Sequence, residues 1–120
     1  MNKKTVVIGA SPKPDRYSHQ AVRKLRRYGH DVVALGFEDD MIDDIPIETA
    51  WPAISQVDTV TLYLNPQRQQ SYYDYIFGLH PKRIIFNPGT ENKDLLQRAQ
   101  AQGIQTVEAC TLVMLSTDQY

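Results

Sequence analysis

The chain has 120 residues, enough for one domain that buries about two-thirds of its unfolded surface without disulfides or bound metal. Its 13 Lys and Arg against 14 Asp and Glu leave a net charge of −1, which offers no electrostatic footprint for nucleic acid or an anionic membrane. No apolar run approaches the ~20 residues of a membrane span, and the single cysteine, Cys110, excludes an internal disulfide and fits a reducing cytoplasm.

Strand-like and helix-like segments alternate along residues 1–120, and no linker or repeat divides them. Met1-Asn2-Lys3-Lys4 runs straight into an apolar strand over residues 5–9, so no signal peptide is expected. Residues 17–28 carry Ala21, Val22, Leu25 and Tyr28 at helical spacing, and Gly29 suits the position just past the helix end. Residues 31–36 read as the second strand. An acidic loop with Glu38, Asp39, Asp40, Asp43 and Asp44 follows. It and the basic face formed by Arg23, Lys24, Arg26 and Arg27 read as solvated surface. Ile45-Pro46-Ile47 reads as a short edge strand, because proline donates nothing to a ladder.

The second half repeats the pattern. Residues 57–64 form an apolar strand ending at Asn65-Pro66, and a helix rich in tyrosine runs to about Leu79. Residues 83–86 form a strand ending at Asn87-Pro88-Gly89. A helix over 92–102 stops at Gly103, a strand covers 104–107, and residues 110–115 close the sheet as a short helix. Roughly six strands with intervening helices predict an α/β fold with a doubly wound, mainly parallel sheet of five to six strands. The usual order 3-2-1-4-5-6 sets the first strand beside the fourth, where ligands bind outside the carboxyl ends of the strands.

The loop from Gly9 to Ser18 is the richest stretch for chemistry. An apolar strand there turns into a helix, so free backbone N–H groups and the positive end of the helix face a ligand together. It is not the dinucleotide fingerprint, since Ser11 and Pro14 stand where the further glycines belong. Gly9 lets backbone approach a ligand closely, with Ala10 next to it in the candidate site; Ser11 can donate a hydroxyl, and Lys13 and Arg16 bring positive charge. Arg16 is the stronger phosphate candidate because its planar fork matches phosphate oxygens. Tyr17 and Ser18 open the helix, and Ser18 can either cap it or meet the ligand. The two Asn-Pro pairs, Asn65-Pro66 and Asn87-Pro88, each fix the path by which the chain leaves the sheet. His19, His30 and His80 lack metal-ligand spacing, so no metal site is expected. No catalytic set is evident either. Cys110 has no His-and-carboxylate partners in the sequence, although a thioester-handling role or a nucleotide-dependent reductase stays open beside a binding or regulatory module. The cluster Tyr72, Tyr73, Tyr75 and Phe77 reads as helix packing with one face suited to a homodimer or another protein partner.

Val7-Ile8-Gly9-Ala10-Ser11-Pro12-Lys13-Pro14, with Arg16-Tyr17-Ser18, resembles the small stand-alone CoA-binding domain proteins. These are relatives of the CoA-binding domain in the succinyl-CoA synthetase α subunit. Tyr63-Leu64-Asn65-Pro66 and Asn87-Pro88-Gly89-Thr90 extend the likeness over nearly the whole chain. The resemblance implies a three-layer Rossmann-like fold and coenzyme A or an acyl-CoA as ligand. It implies a pyrophosphate at Ser11, Lys13, Pro14, Arg16 and Ser18, and a pantetheine arm passing Asn65-Pro66 and Asn87-Pro88-Gly89. Adenine is expected after the second strand, where many members carry Asn-Pro and this chain carries Gly36-Phe37 followed by acids.

Overall fold

In a computed structural model, which describes residues 2–120, seven strands form one sheet. The elements in chain order are β1 (Thr5–Ala10), α1 (Tyr17–Arg27), β2 (Val32–Gly36), β3 (Met41–Ile42), β4 (Ile45–Glu48) and β5 (Thr59–Leu62). They continue with α2 (Pro66–Gln69), a 3-10 turn at Gln70–Tyr72, α3 (Tyr73–Gly78), β6 (Arg83–Phe86), α4 (Lys93–Ala101), β7 (Gln105–Glu108) and α5 (Thr111–Ser116). The sheet order is β3-β4-β2-β1-β5-β6-β7, and only the β3–β4 pair is antiparallel. The predicted order of six parallel strands is therefore present, with β1 beside β5 at the switch point. It is a Rossmann-like α/β fold.

Both faces of the sheet are covered, so its central strands read as continuous apolar runs. Along β1, successive side chains alternate between the two layers. Val6 and Ile8 join Val60, Leu62, Ile84, Phe86, Ile76, Leu95 and Ala99 beneath α3 and α4. Val7 and Ala10 join Ala34, Val22, Leu25 and Leu115 beneath α1 and α5. Thr59 and Thr61 interrupt the apolar pattern on this second face, and the Thr61 hydroxyl meets that of Thr111 on α5 at 2.8 Å.

Several elements depart from the sequence expectations. Ile45-Pro46-Ile47 belongs to β4, which pairs with β2 on one side and β3 on the other, so β4 is not an edge. Pro46 is tolerated there because the neighbouring rung is made by the Ile47 N–H, which donates to the Asp40 carbonyl at 2.8 Å. The edge is β3, a two-residue strand inside the acidic loop. The expected strand over 57–64 shortens to Thr59–Leu62. At its start both Asp58 N–H and Thr59 N–H turn to the Lys4 carbonyl. The tyrosine-rich helix is broken into α2, the 3-10 turn and α3, the chain leaving helical geometry at Tyr72, whose φ is −117° and ψ 7°. Arg23, Arg26, Arg27 and the acidic loop are exposed as expected, whereas Lys24 is half-buried and donates to the Leu112 carbonyl at 3.0 Å. The two charged surfaces also pair, Arg23 meeting Asp43 at 3.2 Å and Arg26 meeting Asp44 at 3.1 Å. Exposed pairs of this kind are worth about 0–1 kcal/mol each. Among the described residues, no helix is long and apolar enough to cross a membrane.

Candidate functional site

The carboxyl ends of β1, β2, β5 and β6 open onto one cleft of about 500 Å³. Its floor is set by Gly9, whose φ of +98° breaks the β1–β2 register between Ile8 and Ala10. A side chain would be strained at this φ, and a Cβ would press to 3.1 Å from the Tyr63 carbonyl. Gly36, at the end of β2, is equally constrained, because a Cβ there would fall 2.4 Å from the Ala10 oxygen. The two glycines let the first loop, the β2 exit and the β5 exit converge.

The loop after Gly9 is braced from within. The Ser11 hydroxyl accepts from Lys13 N–H at 3.2 Å, which leaves its own proton free to donate. Arg16 N–H donates to the Lys13 carbonyl at 3.1 Å. His19, buried in the first turn of α1, donates its Nδ1–H to the Ser11 carbonyl at 3.0 Å. A carbonyl can only accept, so this bond fixes the proton on Nδ1.

The start of α1 is open. Arg16 is the N-cap residue, no side chain caps the helix, and its first turn carries no acid. Gln20 N–H makes the first intrahelical bond, to the Arg16 carbonyl at 3.1 Å. The preceding amides of Tyr17, Ser18 and His19 therefore have no intrahelical acceptor. With the positive end of the helix dipole, they make a site suited to an anion. Ser18 lies one residue inside the helix and is buried, so it does not cap; it lines the cleft instead.

Two internal networks hold the far walls. Gln69, fully buried, donates through Nε2 to the Leu64 and Thr90 carbonyls, both at 2.8 Å. Its Oε1 accepts from Asn92 Nδ2 at 2.8 Å, and that amide also donates to the Tyr73 hydroxyl. One side chain thereby ties the β5 exit to the β6 exit. Asn87 does similar work deeper down. Its Nδ2 donates to Thr61 Oγ1 at 2.6 Å and to the Leu62 carbonyl at 2.9 Å, while its Oδ1 accepts from Thr111 N–H at 2.8 Å. Tyr63 contributes to the cleft wall, and burial pushes its phenol well above the usual range, so the hydroxyl stays protonated.

The cleft brings together Gly9, Ala10, Ser11, Arg16, Tyr17, Ser18, Asn65, Pro88 and Gly89 from the predicted set. Lys13 and Pro14 are exposed and stand outside its lining, and Pro66 lies behind it as the first residue of α2. Asn87 is outside the lining: it is turned into the interior with its amide engaged by protein partners, where it braces the fold. Sequence reasoning missed Phe37, Glu38, Tyr63, Leu64, Arg68 and Thr90 as lining residues. A signal existed for two of them. Phe37 immediately follows the glycine that ends β2, and Arg68 is the only charged residue between Tyr63 and Tyr73. Cys110 precedes α5, is half-buried and does not line the cleft.

The chain is similar throughout its length to a crystal structure of a protein described as uncharacterized. That likeness has 45% identity and a TM-score of 0.98, covering 100% of this chain and 99% of the other. Two more distant structures share the fold. One is a protein from Thermus thermophilus (20% identity, TM-score 0.84, covering 98% of this chain and 90% of that one). The other is a hypothetical protein from Pyrococcus horikoshii OT3 (21% identity, TM-score 0.85, covering 96% and 82%). No curated protein matches the chain. The CoA binding domain family matches residues 3–116, nearly the entire sequence, and the chain belongs to that family.

Proposed function

We propose that this cleft binds coenzyme A or an acyl-CoA, and that the chain is a ligand-binding module without catalysis of its own. The observation that carries the reading is the uncapped start of α1, opening into a cleft beside Gly9. A diphosphate seated there accepts from the amides of the first turn and from the Ser11 hydroxyl, with Arg16 completing its coordination. The pantetheine arm then runs along Asn65, Pro88 and Gly89, and the adenine lies toward Phe37. The family and the polar, carboxylate-poor diphosphate end both support this assignment.

Each exposed helix-end interaction is worth about 0.3–1 kcal/mol. The ligand's several negative charges are thus only partly offset, and binding falls in the micromolar range, on the order of −8 kcal/mol. Titration calorimetry with CoA tests the reading. Saturable heat in that range supports it, and no heat at millimolar ligand removes it.

A further inference from the structure

The β2 exit and α2 meet across the cleft in a way the diphosphate site does not use. Asn65 caps α2 by accepting from Arg68 N–H at 2.9 Å, and Pro66 supplies its first residue. This single turn sends Gln69 inward and brings Arg68 over Phe37, with its guanidinium carbon 4.3 Å from the ring centroid. Phe37 is itself backed by Trp51, at 5.5 Å, and by Tyr72, at 6.2 Å. Trp51 is pinned in turn by its indole N–H, which donates to the Gly36 carbonyl at 3.1 Å. The Arg68 side chain makes no ion pair and no hydrogen bond among the described residues. A guanidinium that lies over a ring and has no other partner keeps its N–H donors available, and that fork matches phosphate oxygens.

We propose that Arg68, held on Phe37, reads the phosphate on the ribose of the bound nucleotide and makes the chain selective for CoA over its dephosphorylated form. This inference rests on the coenzyme reading of the cleft. Adenine placed toward Phe37 brings the adjoining ribose to the Arg68 edge, while the diphosphate stays at α1 on the opposite wall. Glu38, which lines the same cleft, works against a second phosphate and sets the competing outcome.

Calorimetry with CoA and dephospho-CoA, on the wild type and on Arg68→Gln, separates the two. The wild type is expected to bind CoA roughly tenfold tighter than dephospho-CoA, the scale of one charge-assisted contact. Arg68→Gln is expected to abolish that preference by costing CoA roughly tenfold and dephospho-CoA markedly less, with Arg68→Lys falling between. Equal wild-type affinities, or equal losses for both ligands in Arg68→Gln, overturn the assignment while leaving the coenzyme reading intact. Absence of binding by both ligands to the wild type removes the coenzyme reading itself. Arg68 is exposed, so unchanged thermal melting is expected to show that the variants fold.

Discussion

A methyl group on Gly9 would stand 3.1 Å from both the carbonyl carbon and the carbonyl oxygen of Tyr63. The turn that frees the first loop from the sheet therefore depends on the exit of β5 lying directly against it. Gly9→Ala adds this clash to an unfavourable positive φ. The expected loss is about 1–3 kcal/mol of stability, together with weaker CoA binding as the loop shifts. Chemical denaturation and calorimetry check the two effects, and an unchanged midpoint contradicts the close-approach argument.

Arg16 lines the cleft, whereas Lys13 stands outside it. Arg16→Ala is expected to weaken CoA binding roughly tenfold, as loss of a charge-assisted contact does. Lys13→Ala should change affinity only slightly, through the general field. Equal losses in the two variants contradict a fixed guanidinium–phosphate contact.

Gln69 has no exposure and joins the exits of β5 and β6 through its amide. Gln69→Leu keeps a comparable shape but leaves the Leu64 and Thr90 carbonyls and one Asn92 donor without this partner. We expect a loss of about 2–3 kcal/mol by urea denaturation. Stability within a few tenths of a kcal/mol of the wild type would show that the network is not holding the walls.

His30 accepts from Lys3 N–H through Nδ1 at 2.9 Å, so the native imidazole is neutral. Burial, reinforced by the charges of Lys3 and Arg83, holds its pKa below the usual 6.5. Above pH 6.5 the imidazole is mostly neutral in both folded and unfolded chains. Below that pH the unfolded chain takes up the proton first, so stability falls with acidification until the folded pKa is passed. His30→Gln retains an acceptor and should flatten this limb below pH 6.5. A slope identical to that of the wild type in denaturation series across this range contradicts the assignment.

Much of the fold was legible because it is carried by local pattern. Apolar strands separated by amphipathic helices predict the parallel order, and Gly9 marks the turn where the first loop leaves the sheet. What stayed hidden depends on distant partners. Asn65-Pro66 and Asn87-Pro88 are the same dipeptide after the same kind of strand, yet Asn65 caps α2 and Asn87 points into the core. The difference lies with Thr61 and Thr111, which engage the second amide. Strand β3 was invisible because two residues set no periodicity. Arg68 carries no local sign that an aromatic ring on the β2 exit will receive it, and His19 reads as a helix residue until its carbonyl partner on the loop is known.

Amide NMR spectra recorded during titration with CoA test most directly whether a diphosphate sits at the helix start. Such seating predicts that the largest shifts fall on Ser11, Tyr17, Ser18 and His19, saturating with a micromolar constant. Saturable binding that leaves those amides unmoved while others shift would contradict it.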